Sequence, residues 1–154
     1  MNIIEFATDY KNKNYPHDFR LMKRVIVTDV STSTLVWIDG QFLVELYMMH
    51  PNTIVKRHSH PFENITIFFS GVITGSRQGN NVGHTLTELD HGRIGVPLPE
   101  NHWHEFTVGN QGAVFYNISR WSNPTEMDSA IIKYHGEPLG PVHSAFLESL
   151  KNKW

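Results

Sequence analysis

The hydrophobic positions in the middle of the chain fall in short runs that are rich in Val, Ile, Thr and aromatic residues. Turn residues separate these runs, and no sustained helical spacing occurs between residues 20 and 121. The predicted strands are RVIVTDV (24–30), TLVWIDG (34–40), QFLVELYMM (41–49), NTIVKRHSH (52–60), NITIFFSG (64–71), LTELDHGRIGVPLP (86–99), HWHEFTVGN (102–110) and GAVFYNISRW (112–121). About ten short strands with tight turns and almost no helix predict an all-β fold, either an antiparallel sandwich or a barrel.

The last quarter of the chain has a different pattern. SNPTEMDSA is typical of a turn or capping cluster, and IIKYH is interpreted as one more strand. A short helix is predicted near the C-terminus, with Ser144 as its N-cap and Phe146, Leu147 and Leu150 as its apolar stripe.

The chain has 154 residues, of which 40% are hydrophobic and 18% charged, and this is ordinary globular composition. Because no linker or repeat is present, we expect one domain over residues 1–154. Its barrel core is predicted at 22–121 and a C-terminal extension at 122–154.

Composition also excludes several function classes. The formal charge of −2 gives no broad electrostatic reason to expect nucleic acid or an anionic membrane as a partner. The absence of cysteine removes disulfides, thiolate nucleophiles and Cys-ligated zinc or iron–sulfur sites. The first residues, MNIIEFATDY, lack the basic region and long apolar core of a signal peptide, so a cytoplasmic protein is expected.

Ten histidines are the unusual feature of this composition, and four of them form two HxH pairs. His58 and His60 lie in RHSHPFEN, and His102 and His104 lie in PLPENHWHEF. Residues two apart on a strand point to the same face, so each pair offers two imidazoles to a transition metal. One HxH pair is as well explained by surface histidines, whereas two pairs in one β-domain indicate a metal site if the fold brings them together.

The two histidine segments resemble the two sequence motifs of the cupin superfamily. Residues 51–71 resemble the first motif, in which HxH is followed three or four residues later by Glu, then by a glycine that ends the strand. Residues 92–106 resemble the second motif, P-x-G-x-x-H, with Pro97, Pro99 and His102 on the pattern and proline where the family usually has glycine. The resemblance implies a double-stranded β-helix (jelly-roll) barrel that holds one metal, with His58, His60 and His102 as ligands.

The fourth ligand of the family pattern falls on Asn64, where most members have a carboxylate. Strand parity gives the same result, since Asn64 shares its face with His58 and His60 while Glu63 points away. A kink at Pro61 is the alternative, because it would turn Glu63 inward. We expect Asn64 inward as a weak amide ligand of the metal.

A three-histidine site implies, by this resemblance, a non-haem dioxygenase of a small organic substrate. Fe is the expected divalent metal, with Mn, Ni and Zn as alternatives. His104 is predicted as a catalytic residue that lines the pocket and transfers protons, and an extra ligand or a buried core histidine are its alternatives. The other functions left open are a sugar-type isomerase or epimerase, with His60 or His104 as base, and a non-catalytic barrel that binds a metal or small molecule.

The expected partner is the small-molecule substrate, with neither nucleic acid nor membrane. A homodimer is also expected, since Ile3, Ile4 and Phe6 would extend an edge strand onto a second copy.

Overall fold

The computed structural model describes residues 1–12, 24–27 and 31–135, and the C-terminal helix predicted from Ser144 onward lies outside them. The elements in chain order are α1 (Ile3–Asn12), β1 (Arg24–Val27), β2 (Ser31–Asp39), β3 (Phe42–Met49), β4 (Ile54–His58), β5 (Glu63–Arg77), β6 (Asn80–Leu86), a 3₁₀ turn (Glu88–Asp90), β7 (His104–Arg120) and α2 (Pro124–His135). No helix among the described residues is long and apolar enough to cross a membrane.

The strands form a mostly antiparallel sheet in the order β1-β2-β3-β7-β5-β6, and β4 pairs with β7 off this path. Two long strands bend the sheet into a barrel. The second half of β7 pairs with β3 and its first half pairs with β4, while β5 accompanies it on the other edge throughout. The predicted strands 102–110 and 112–121 are therefore one continuous strand, which passes through Gly112 at a positive φ of 76°.

The inner face of the barrel carries an apolar cluster to which all the central strands contribute. Its members are Met49, Phe68, Val108, Ala113 and Phe115, with Tyr47, Val55, Ile73, Leu86 and Phe106 packed against them. Phe68 and Phe115 are directly opposite each other in the pairing of β5 with β7, so the side chains of this cluster share one face of the bent sheet. That face continues toward β4, where the histidines lie.

Helix α1 packs on the outer face of β3, β5 and β7, where Phe6 stacks on Phe42 at 4.1 Å between ring centroids. Its start is fixed by a capping box, in which Asn2 accepts from the Glu5 backbone N–H and Glu5 accepts from that of Asn2. The prediction that residues 3–6 extend an edge strand is wrong. Ile3, Phe6, Ala7 and Tyr10 have helical spacing and are buried against the barrel.

Helix α2 replaces the turn cluster and strand predicted after residue 121. Asn123 caps it by accepting hydrogen bonds from the backbone N–H groups of Thr125 and Glu126, and Pro124 occupies its first turn. Met127 and Ile131 are buried against Leu43 and Trp121. This burial stabilises a helix whose two adjacent isoleucines had indicated a strand.

The predicted strand at 86–99 is also corrected. A second capping box, in which Thr87 and Asp90 exchange hydrogen bonds, starts the 3₁₀ turn at Glu88–Asp90. The chain then runs along β5 with only isolated bridges, at Ile67–Ile94 and Asn64–Leu98. This segment closes one side of the inner cavity.

Candidate metal centre

Three histidines converge on the inner face, and they are His58, His60 and His104. One ring nitrogen from each lies within 4.8 Å of the others. The centroid of the His58 ring is 4.7 Å from that of His60 and 4.2 Å from that of His104. Three half-buried imidazoles in such contact form the densest cluster of potential metal ligands in the described part of the chain.

Two local features of the backbone bring these rings together. His58 is opposite His104 in the pairing of β4 with β7. Val55 and His58 are three residues apart, and a register shift between them places both on the inner face. His60 lies just after β4, where its carbonyl accepts a hydrogen bond from the Asn101 N–H at 2.8 Å. The loop that precedes β7 is thereby tied to the first histidine pair.

The third member of the group is His104 and not His102, so the register of the second motif shifts by two residues. The pattern P-x-G-x-x-H fits Pro99, Asn101 and His104, with Asn101 at the glycine position. Asn101 has a φ of 61°, which asparagine tolerates and proline cannot adopt. The earlier register put Pro99 at that position, and His102 lies in the loop outside the three-histidine group.

The surroundings of the rings fix their orientation. Nδ1 of His58 donates to the carbonyl oxygen of Lys56 at 2.7 Å, since a carbonyl can only accept, and this leaves Nε2 with its lone pair. Metal-binding histidines use the same contact to a backbone carbonyl. His60 stacks on Phe62 at 4.6 Å and 8°, and Phe62 in turn contacts Trp121 at 4.4 Å.

Burial keeps two of the three imidazoles neutral. Burial first, and then the nearby His58 and His104, lower the pKa of His60 from 6.5 to about 4. Burial and His58 likewise lower the pKa of His104 to about 4, and the charge of Arg77 contributes while the carbonyl of His102 opposes it. Both rings are therefore unprotonated at neutral pH, which is the form that binds a metal.

Asn64 and Glu63 point to opposite faces of β5. The carboxylate of Glu63 lies 3.3 Å from Nε of Arg120, whereas Asn64 lines the inner cavity. The Asn64 amide donates to Oδ1 of Asn117 at 3.0 Å, and its own Oδ1 is buried without a hydrogen bond. That unsatisfied oxygen is available to a metal or to a substrate, and metal binding by Asn64 stays a prediction.

The cavity beside the histidines has a volume of about 550 Å³. Its walls are Asn64, Thr66, Phe68, Ile73, Leu86, the segment 93–96, Leu98 and His104, together with the end of the β5–β6 hairpin. Arg77 lies directly opposite His104 in the pairing of β5 with β7, so its side chain shares the inner face. Arg77 belongs to the glycine-rich span GSRQGNNVGH (75–84), which lies between the strands predicted from sequence, whereas in the structure β5 continues to Arg77 through two register shifts that no residue pattern reveals.

The residues present fit a divalent transition metal. Nitrogen ligands bound at about 2.1 Å lie about 3–4 Å apart around one ion, and the ring nitrogens here lie within 4.8 Å of one another. Nδ1 of His104 is buried and makes no hydrogen bond of good geometry. A buried polar atom without a partner is expected where another group, such as a metal ion, binds. The donor set is neutral, so a bound ion would keep its full charge.

Comparison with known proteins identifies the fold. Neither a protein-family model nor a curated protein sequence matches the chain. Among solved structures, KdgF from Halomonas sp. superposes with a TM-score of 0.53 and 12% identity, over 67% of this chain and 90% of that one. An RmlC-like cupin from Shewanella frigidimarina gives a TM-score of 0.55 and 10% identity, over 68% of this chain and 88% of that one.

A variant of oxalate decarboxylase from Bacillus subtilis gives a TM-score of 0.55 and 12% identity. The match covers 75% of this chain and 36% of that one, so this chain corresponds to about a third of that enzyme. At such low identity the similarity establishes the architecture, and proteins with this architecture include enzymes. The chain therefore has the double-stranded β-helix fold of the cupin superfamily.

Proposed function

We propose that this chain is a metal-dependent enzyme that acts on a small organic substrate through His58, His60 and His104. The enzyme class that we propose is a non-haem dioxygenase. The observation that carries the proposal is the convergence of three imidazoles, within 4.8 Å of one another, beside an inner cavity of about 550 Å³. A cavity of this size has room for a small molecule.

His58, His60 and His104 would hold the ion. His58 presents Nε2 because its Nδ1 is bound to the Lys56 carbonyl, and the stacked Phe62 restrains the ring of His60. A bound divalent metal supplies a Lewis acid, and iron in addition supplies oxygen activation. The cavity wall formed by Asn64 and Thr66 faces the substrate.

We propose that His104 binds the metal instead of transferring protons, and its position beside His58 and His60 supports this role. The isomerase alternative, in which His60 or His104 is the catalytic base, is less well supported. A group with a pKa of about 4 is a weak base at neutral pH, whereas efficient general bases have pKa values near the working pH.

Metal analysis of the protein purified without added metal tests the proposal. We expect about one transition-metal ion per chain, and its loss in His58→Ala. His91→Ala is the matched control, because His91 is exposed and lies outside the group. Oxygen consumption with added Fe(II) and a panel of small organic substrates then tests the reaction type. Absence of metal from the protein, together with no binding of added Fe(II), Mn(II), Ni(II) or Zn(II), contradicts the proposal.

A further inference from the structure

One positive charge on the wall of the inner cavity has no counter-charge in the described part of the chain. The charged residues that line the cavity are Arg77, Arg93 and Glu105. Arg93 contacts Asp90 at 3.1 Å, and Glu105 contacts Arg57 at 3.0 Å, so these two charges are compensated. No carboxylate within the described ranges pairs with Arg77.

The guanidinium of Arg77 is held in place by two carbonyl groups. Its Nη1 donates to the Val96 carbonyl at 2.9 Å and its Nη2 to the Pro97 carbonyl at 2.6 Å. A guanidinium has five N–H donors, so three remain for another partner. These bonds fix the direction of the group without neutralising it, which is the arrangement of a preorganised anion site.

The position of Arg77 relates this charge to the histidines. Arg77 is directly opposite His104 on the neighbouring strand, and its charge contributes to the lowered pKa of His104. The charge of Arg77 and any cation bound by the histidines make the cavity electropositive.

The rest of the cavity is largely apolar. Phe68, Ile73, Leu86, Ile94 and Leu98 form its walls. An occupant that matches both properties has one anionic group for Arg77 and an apolar body for these side chains.

We propose that the substrate is a small organic carboxylate whose carboxylate group is bound by Arg77 and whose apolar body lies against Phe68, Ile73 and Leu86. This inference rests on the proposed function in that it takes the cavity as the substrate site. It adds the substrate class and a residue that determines specificity.

Titration calorimetry of the full chain with benzoate and with its uncharged counterpart benzamide tests the inference. We expect benzoate to bind at least about tenfold more tightly than benzamide, because a carboxylate brings a negative charge to its hydrogen bonds with Arg77 and an amide does not. In Arg77→Gln the ratio of the two affinities falls to about one, whereas Arg77→Lys keeps part of the preference. Arg93→Gln is the control, because it removes the same charge from the same cavity at a compensated site.

The affinity ratio separates recognition from a structural role of Arg77. If Arg77 acts only through its contacts with Val96 and Pro97, its loss lowers the affinity for both ligands equally. If Arg77 is an anion site, its loss lowers the affinity for benzoate alone. Where Arg77→Gln does not fold, the ratio in the wild type and in Arg77→Lys decides. Equal affinities in the wild type, no benzoate binding, or an unchanged ratio in Arg77→Gln overturns the inference.

The titrations are repeated after removal of metal with EDTA. A preference for benzoate that persists without metal and depends on Arg77 supports the inference even if the protein proves to bind no metal. Metal binding and oxygen consumption with no preference for carboxylates supports the proposed function and overturns this inference. The two proposals therefore fail separately.

Discussion

The imidazole of His60 lies parallel to the ring of Phe62, at 4.6 Å between centroids and 8° between planes. Phe62 contacts Trp121, which packs on Met127 of α2. The orientation of one candidate ligand thus depends on a helix that contributes no ligand itself.

Phe62→Leu tests this support. We expect the metal affinity to fall about 10- to 100-fold, because a ligand that has lost its restraint must be ordered when the metal binds. Competition with a chelator of known affinity measures the change. Phe69→Leu is the control, since Phe69 is exposed and lies on β5, which begins directly after Phe62. An unchanged affinity in Phe62→Leu contradicts the role of the stack.

The choice between His102 and His104 has its own test. His104→Ala is expected to abolish stoichiometric metal binding, because only His104 lies with His58 and His60. His102→Ala is expected to bind metal like the wild type. Metal content and circular dichroism of both variants separate loss of the site from loss of the fold. The opposite pattern would restore the original register of the second motif.

Asn64→Asp and Glu63→Gln form an isosteric pair on opposite faces of β5. Asn64→Asp is expected to raise the affinity for a divalent metal by about tenfold or more, since it adds a negative charge beside the histidines. Glu63→Gln is expected to leave the metal affinity unchanged and to cost less than about 1 kcal/mol, because the contact with Arg120 is partly exposed. Weaker metal binding in Glu63→Gln alone would mean that Glu63 approaches the metal.

Acid is expected to destabilise the metal-free protein through His60 and His104. Both have a pKa of about 4 in the folded state and near 6.5 when unfolded, so the unfolded state binds more protons between these values. Stability is therefore complete above pH 6.5 and falls as the pH drops toward 4, by about 2 kcal/mol after allowance for partial exposure.

Urea unfolding of the metal-free protein between pH 7 and pH 4 measures this loss. The double variant His60→Gln/His104→Gln is the reference, because it keeps the carboxylates that also titrate in this range. The wild type is expected to lose more stability than the variant over this interval. Identical pH profiles would show that the two histidines ionise freely in the folded protein.

Gly71 and Gly79 provide a matched test of the bend in the barrel. Both have a φ of 89°, but a Cβ on Gly71 would overlap the carbonyl oxygen of Gly112, while a Cβ on Gly79 meets nothing within 4 Å. We expect Gly79→Ala to cost about 1 kcal/mol of backbone strain and Gly71→Ala to cost about 3 kcal/mol or more. Thermal unfolding of the two variants checks the difference, and equal costs would argue against close packing of the strands.

Most of the strands could be predicted from sequence because branched and aromatic runs between turns report strand formation directly. The helices were missed although their caps were present, at Asn2–Glu5 and at Asn123-Pro124. The short apolar runs of the two helices fit the spacing of a strand as well as that of a helix. Only the burial of Phe6 and Met127 against the barrel favours the helix.

The site was predicted in part for a similar reason. That His58 and His60 lie together follows from their spacing of two residues, and that Asn64 lines the cavity follows from strand parity, whereas the third histidine of the group depends on which residue adopts a left-handed backbone. In the second motif a glycine indicates the left-handed conformation at this position. Here Asn101 adopts that conformation, and an asparagine in the sequence does not by itself indicate it. Arg77 was missed because register shifts along β5 change the face of a residue without a trace in the sequence.

The strand β7 has a consequence for how the protein unfolds. It carries His104 at its start, pairs with three other strands, and ends beside the residues that support His60. If β7 frayed from either end, the three histidines would separate before the rest of the barrel unfolded. An ion bound by all three would therefore stabilise β7 against fraying. Amide hydrogen exchange would then slow along the whole of β7 when metal is added, which makes the ion a cooperative part of the fold as well as of the chemistry.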